Sequence, residues 1–142
     1  MIEEFVQAWE ANKEKLEEYI STTNQGGYGT YKEIVKMLFY KVINPYLLNH
    51  DSPTYDTSKV HEIDDGDYQG TLLYIIPQDS YQPSAYEYVM TCVDYGSCTA
   101  CDTLQRIQEG NYDIPTKEQV KEYMTLCLNI LQRCKRPYNW ND

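Results

Sequence analysis

The period of the hydrophobic residues changes twice along the chain, from helical to strand-like and back to helical. Near the start, apolar residues recur at spacings of three and four, which predicts a helix over residues 2–21. Thr30 and Glu33 then form a capping-box pattern that predicts the start of a second helix. Pro45 is expected to end that helix at Asn44, because proline disfavours helical backbone at the residue before it.

The middle of the chain contains three short runs rich in β-branched and aromatic residues, at positions 60–63, 71–76 and 86–93. Turn-forming residues separate them, over positions 64–67 and 77–83. Short runs punctuated in this way predict a three-stranded antiparallel meander. Such a sheet buries too little surface to be stable alone, so helices are expected to cover it.

Helical patterns return after the third run. A short helix is expected over residues 102–108, and Thr116 and Gln119 form a capping box that opens the last helix. Pro137 is expected to stop this helix, which leaves residues 138–142 as a tail.

Two cysteines and one polar segment complete the expected layout. Cys127 and Cys134 lie on the apolar stripe of the last helix and are predicted to be small core residues. Residues 49–58 are polar, contain proline and are predicted to form a surface loop. The whole pattern predicts one domain over residues 1–142, of the α+β class, with about four helices covering a small three-stranded antiparallel sheet.

The charge of the chain restricts its partners. The formal net charge is −10, from 22 acidic and 12 basic residues, and it repels nucleic acid and anionic membranes. An acidic surface either keeps a protein soluble or contacts a basic partner, and the 15 tyrosines favour protein recognition. No apolar run is long enough to span a bilayer and no secretion signal is recognised, so a cytoplasmic location is expected.

The clearest chemical signal is the Cys98-Thr-Ala-Cys101 motif between the third strand and the following helix. Two thiolates at this spacing can share one zinc ion, with a histidine or carboxylate completing the shell. The candidates for the remaining ligands are His61, Asp64, Asp65, Asp67, Asp102 and Cys92. The zinc site that we predict consists of Cys98, Cys101, Asp67 and His61, and its role is structural.

Two other interpretations of the cysteine pair remain open. A Cys-x-x-Cys at a helix start is also the thioredoxin arrangement, although that fold requires parallel strands around the motif. In the third interpretation the small residues only pack the helix start against the sheet, with Ser97 as the N-cap.

Other catalytic or metal-binding patterns are weaker, and no catalytic residue is predicted. Neither histidine, His50 or His61, lies near a recognisable nucleophile motif. The Asp-Asp-Gly-Asp segment at 64–67 lacks the order of a calcium loop and is more typical of a tight hairpin turn.

Two segments carry a family resemblance. Residues 64–71, Asp-Asp-Gly-Asp-Tyr-Gln-Gly-Thr, and residues 95–105, which begin Tyr-Gly-Ser-Cys-Thr-Ala-Cys-Asp, resemble two motifs of a family of small proteins from phages and other mobile elements. The match spans residues 60–108, and the chain departs from the family pattern at Thr99 and Ala100.

The same features make the chain similar to the type II-A anti-CRISPR proteins, some of which bind metal and block an RNA-guided nuclease. This resemblance implies a phage-encoded inhibitor that binds a basic host defence protein in the bacterial cytoplasm and obstructs DNA loading. The alternative is a thiol oxidoreductase or a zinc-dependent hydrolase that uses Cys98 and Cys101. A phage structural component is a third class, to which no specific feature points.

Overall fold

The computed structural model describes residues 1–67 and 69–137. Tyr68 of the first resemblance motif and the tail expected at 138–142 lie outside the described residues. Helix α1 spans Ile2–Thr22, and the sheet consists of β1 (His61–Asp64), β2 (Gly70–Pro77) and β3 (Tyr88–Tyr95). Two further helices follow the sheet, α3 (Thr103–Gln108) and α4 (Lys117–Gln132). The prediction of an α+β fold with a three-stranded antiparallel sheet is confirmed.

The second helix, α2, is longer than predicted and runs over residues 31–49 without a break. It consists of Tyr31–Leu38, a π-helical turn at Phe39–Ile43 and a last segment at Asn44–Asn49. The prediction that Pro45 ends the helix at Asn44 is therefore wrong. A proline ring clashes with a carbonyl of the preceding turn in a regular α-helix, and the wider π turn, in which Asn44 N–H donates to the Phe39 carbonyl five residues earlier, accommodates it.

The loop after α2 lies largely at the surface, as predicted for residues 49–58, but its Tyr55 is buried. Its backbone is fixed by Asn44, whose side chain donates to the Tyr55 carbonyl and accepts from the Tyr55 N–H, both at 2.9 Å. The Tyr55 ring is buried and packs edge-on against Phe5 and Phe39. The loop thus supplies an aromatic core residue.

The strands pair in the predicted order, β1-β2-β3, with small shifts of their ends. The third strand begins at Tyr88 rather than at residue 86, because Ser84 and Glu87 form a capping box around a short 3₁₀ turn. The backbone N–H groups of Ser84 and Glu87 therefore have side-chain partners in this turn and do not pair with β2.

One face of the sheet packs on the helices and the other does not. The inner face carries the buried Tyr74, Ile76, Val89 and Val93, and the Thr91 hydroxyl donates to the Ile130 carbonyl of α4 at 2.7 Å. Apart from the buried Pro77 at the end of β2, residues of the outer face are half-buried or exposed. In the part of the chain that the structure describes, no helix is long and apolar enough to cross a membrane.

Helix α4 closes the core as predicted, but it ends at Gln132 with Arg133 as its C-cap, so the prediction that Pro137 stops it is wrong and Cys134 lies just after the helix. Both halves of the capping box between Thr116 and Gln119 are present. Cys127 and Cys134 are buried, and burial raises the pKa of each thiol to about 12. Their predicted role as small core residues is confirmed.

Candidate functional site

The cysteine motif lies at one end of the sheet, in a compact turn between β3 and α3. We call residues 96–102 the cysteine turn and residues 64–67 the acidic turn. The two turns lie at the same end of the sheet, because Gly70 pairs with Tyr95 and the Tyr95 hydroxyl donates to Asp64 Oδ1 at 2.5 Å. The two segments that carry the family resemblance are therefore neighbours in space.

Cys98 and Cys101 are joined by a disulfide, and both residues are exposed. The Cys98 carbonyl accepts from the N–H groups of Cys101 at 3.1 Å and Asp102 at 2.9 Å, which closes the turn. Gly96 lies so close to the end of the turn that a Cβ built there would stand 2.5 Å from the Cys101 carbonyl oxygen. Only glycine fits at this position without a shift of the backbone.

The Asp102 carboxylate is the centre of the hydrogen bonds that hold the cysteine turn. It is 4% exposed and accepts from Gly96 N–H at 3.1 Å, from the Tyr31 hydroxyl at 3.0 Å and from Gln105 N–H at 2.9 Å. Tyr31 in turn accepts from Leu104 N–H at 3.0 Å, and burial raises the pKa of its hydroxyl. The Tyr31 side chain, on α2, thus fixes both the cysteine turn and the first residues of α3.

The N-cap of α3 is Asp102, so the assignment of Ser97 to that position is wrong. Ser97 lies near the start of the cysteine turn, and α3 begins only at Thr103. The sequence contained a signal for this arrangement, because Asp102 precedes Gln105 at the capping-box spacing. No sequence signal identified Tyr31 as its partner.

The carboxylates of the acidic turn accept hydrogen bonds from their own backbone. Asp64 Oδ1 accepts from Gly66 N–H at 3.0 Å, and Asp65 Oδ1 accepts from Thr71 N–H at 2.7 Å. The bond from Tyr95, aided by the one from Gly66, holds the pKa of Asp64 below its ordinary value, and it raises the pKa of Tyr95 to about 12. These contacts agree with the hairpin-turn interpretation of the segment.

The four predicted zinc ligands are only partly brought together. Cys98 and Cys101 share one turn, and Asp67 lies in the acidic turn at the same end of the sheet. His61 lies at the other end of β1, level with Ile75 and Met90. Over residues 1–67 and 69–137, no group of three or more histidine, cysteine or carboxylate side chains is placed to hold a metal ion. The described arrangement does not form a complete zinc shell, and zinc stays a prediction.

Of the other ligand candidates, Asp102 is already hydrogen-bonded and Cys92 lies on another part of the sheet. Asp102 is committed to the three donors of the cysteine turn. Cys92 lies on β3 opposite Leu73, on the outer face of the sheet, and its carbonyl accepts from Arg133 at 3.4 Å.

The strands around the motif are all antiparallel. This arrangement differs from the parallel unit that surrounds the cysteine pair in thioredoxins. In the described fold, the disulfide therefore follows an antiparallel strand and not a parallel βαβ unit like that of thioredoxins.

Comparison of the chain with family models, with curated proteins and with solved structures gave no match.

Proposed function

We propose that this protein is an acidic inhibitor that binds a basic, nucleic-acid-binding protein of bacterial defence, the RNA-guided CRISPR nuclease to which the resemblance points. The observation that carries the proposal is the exposure of its negative charge. Among the described acidic residues, Asp102 is buried, Asp56 and Glu87 are half-buried, and all the others are exposed. Exposed carboxylates stay charged and attract a basic surface.

The outward side of α1 illustrates this surface. Glu10, Glu14, Glu17 and Glu18 are all exposed within three turns of the helix. Of these four, only Glu10 forms an ion pair with a described residue, Lys13 at 3.0 Å. Three of these four carboxylates therefore form no ion pair with a described residue.

The inhibition follows from charge competition. An RNA-guided nuclease holds its nucleic acids in a positively charged channel. A folded protein with a formal charge of −10 can occupy part of that channel and repel incoming DNA. No nucleic acid or membrane partner is proposed for this chain, because its charge repels both.

The test combines binding with inhibition. Purified protein is mixed with the guide-loaded nuclease, and the complex is measured by pull-down while cleavage of target DNA is followed in parallel. We expect a complex that weakens as salt rises from about 0.05 to 0.5 M, together with reduced cleavage. Undiminished cleavage with no complex at low salt would refute the proposed function.

A structural zinc ion at Cys98 and Cys101 remains part of the proposal and requires that the disulfide be reduced, because a bonded pair offers no thiolates. Elemental analysis of protein purified with a reductant measures the zinc content. We expect about one equivalent. A content below about a tenth of an equivalent would rule out the zinc site.

The second candidate function is a thiol oxidoreductase, which the exposed Cys98–Cys101 disulfide favours. Reduction of insulin disulfides in the presence of dithiothreitol measures this activity. Acceleration by the native protein that is lost on Cys98→Ser, with the urea unfolding midpoint of that variant little changed, would support an enzyme.

A further inference from the structure

The sheet has one edge that nothing in the described chain covers. Strand β1 pairs with β2 on one side only, and its four residues are all exposed. The opposite edge of the sheet, at β3, is partly occupied by Lys135, which exchanges two backbone hydrogen bonds with Met90 at 2.7 and 2.9 Å. The free edge is therefore β1.

The hydrogen bonds between β1 and β2 show which N–H and C=O groups of β1 point to the free edge. Asp65 N–H donates to the Thr71 carbonyl at 3.3 Å, so the hydrogen-bonded pairs of β1 and β2 alternate from that position. Ile63 and His61 consequently bond towards β2, while the N–H and C=O groups of Glu62 and Asp64 point away from it. A strand edge of this kind is a template for another extended chain.

Beside the edge runs an apolar groove on the outer face of the sheet. Ile63 is 50% exposed and lies in one row with Leu73 and Cys92. Together with Met90 these side chains line a groove of about 350 Å³. An added strand would continue this face, because side chains opposite Ile63 point to the same side.

The charges along the edge disfavour a second copy of the chain as its occupant. Antiparallel pairing of two β1 strands with their faces matched places Glu62 opposite Glu62 or opposite Asp64 of the other copy. Like charges directly opposite each other destabilise a strand pair. The same carboxylates favour a strand whose inner-face side chains are basic.

We propose that the free edge of β1 binds an extended basic segment of the partner protein as an antiparallel fourth strand. Basic side chains of that segment face Glu62 and Asp64, and the intervening apolar side chain enters the outer groove beside Ile63. The recognised pattern is thus basic–apolar–basic in an extended chain. This inference rests on the proposed function and specifies where the basic partner docks.

The first experiment uses a peptide probe of about seven residues that alternates lysine and valine, labelled with a fluorophore and followed by anisotropy. Its matched control is the same peptide with every backbone amide N-methylated, which keeps the charge and removes the donors. We expect the methylated peptide to bind roughly tenfold more weakly. Equal binding of the two peptides would show that only charge acts, which would overturn strand pairing.

The second experiment locates the contact on the protein. Glu62→Gln keeps an acceptor for the Tyr74 hydroxyl, which now donates to Glu62 at 2.8 Å, and removes one charge from the edge. The matched control, Glu109→Gln, removes one charge from the exposed residue that follows α3. We expect Glu62→Gln to weaken binding of the lysine–valine peptide about threefold and Glu109→Gln to leave it unchanged. Equal weakening by both variants would place the peptide on the general acidic surface and contradict the proposal.

The third experiment separates this inference from the proposed function. Hydrogen exchange of the Glu62 and Asp64 amides is measured in the free protein and with the guide-loaded nuclease. Protection of these amides on binding supports edge pairing. A nuclease complex without their protection overturns edge pairing and leaves the inhibitor function standing. Peptide binding at the edge without a nuclease complex supports edge pairing and refutes the inhibitor function.

Discussion

At the scale of single residues, the cysteine turn is held by atoms that neither form the disulfide nor lie on the surface. Asp102 collects three donors, from the turn, from α2 and from α3. Gly96 lets the chain pass within contact distance of the Cys101 carbonyl. The geometry of the exposed cysteine pair therefore depends on the buried carboxylate of Asp102 and on the absence of a Cβ at Gly96.

Gly96→Ala tests the close approach. A Cβ 2.5 Å from a backbone oxygen forces the chain to move, so we expect the free energy of unfolding to fall by about 2 kcal/mol or more. Urea unfolding followed by circular dichroism measures it. The control is Gly27→Ala, where the nearest atom to the added Cβ is Thr23 Cγ2 at 3.5 Å, an ordinary contact. Similar stability of Gly96→Ala and the native protein would contradict this account of the turn.

The bond between Tyr95 and Asp64 predicts a window of pH dependence. The pKa of Asp64 is lower in the folded protein than its unfolded value of 3.8. The stability that the ionised Asp64 contributes is therefore fully present above pH 3.8 and is lost as the pH falls through the folded pKa. The folded pKa of Tyr95 is raised to about 12, so its contribution is present below the unfolded value of 10.0 and is lost as pH rises through the folded value.

Tyr95→Phe removes the hydroxyl of this pair. We expect the native protein to be more stable than the variant at about pH 7, and the difference in urea midpoint to disappear towards about pH 2. A difference that stays the same across this range would show that the hydroxyl acts by some route other than the ionised carboxylate.

At the scale of the elements, α2 runs continuously through its proline, with one polar contact inside the π turn and another directly after it. The side chain of Asn12, buried on α1, donates to the Val42 carbonyl at 2.9 Å. Asn44 makes its two bonds to Tyr55 immediately after the turn. These asparagines give partners to backbone groups that the irregular helix and the loop expose.

Asn44→Ala removes both bonds to Tyr55. The buried Tyr55 would then lose its anchor in the loop, and we expect a loss of roughly 2 kcal/mol in the free energy of unfolding. Hydrogen exchange at the Tyr55 amide should accelerate with it. Asn49→Ala, at the exposed end of the same helix, is the control and should change neither quantity. An unaltered Tyr55 amide in Asn44→Ala would contradict the role assigned to Asn44.

The elements that the sequence predicted well are those marked by local signals. The capping box at Thr116 and Gln119 placed the start of α4, and the turn residues at 64–67 placed the first hairpin. The π turn before Pro45 was missed, because its stability depends on contacts with Asn12 and with the rest of the core rather than on local sequence. For the same reason the burial of Tyr55 and the pairing of Tyr31 with Asp102 were not predictable from single-sequence patterns.

At the scale of the whole molecule, negative charge is spread over most of the described surface while the core is held by aromatic and aliphatic contacts. On α1, Glu14 stands one turn from both Glu10 and Glu18, and each such pair repels. Net charge far from zero keeps a protein soluble at some cost to its compact state.

Salt should therefore stabilise the protein. We expect the urea midpoint to rise as sodium chloride increases from about 0.01 to 0.5 M, because screening shortens the range of the repulsion. Glu14→Gln removes two of the repulsive pairs and should be more stable than the native protein by roughly 0.5 kcal/mol at low salt, with a smaller response to salt. A native midpoint that is independent of salt would show that repulsion does not limit stability.

The burial of the cysteines has a practical consequence. Cys127 and Cys134 are sealed in the core with raised pKa values, and Cys98 and Cys101 are bonded to each other, which leaves Cys92 as the accessible free thiol of the described chain. A maleimide dye added to the native, oxidised protein is therefore expected to label Cys92 alone. Because Cys92 lines the groove on the outer face, a dye on this residue would report binding of the partner by a change in its fluorescence, without any mutation.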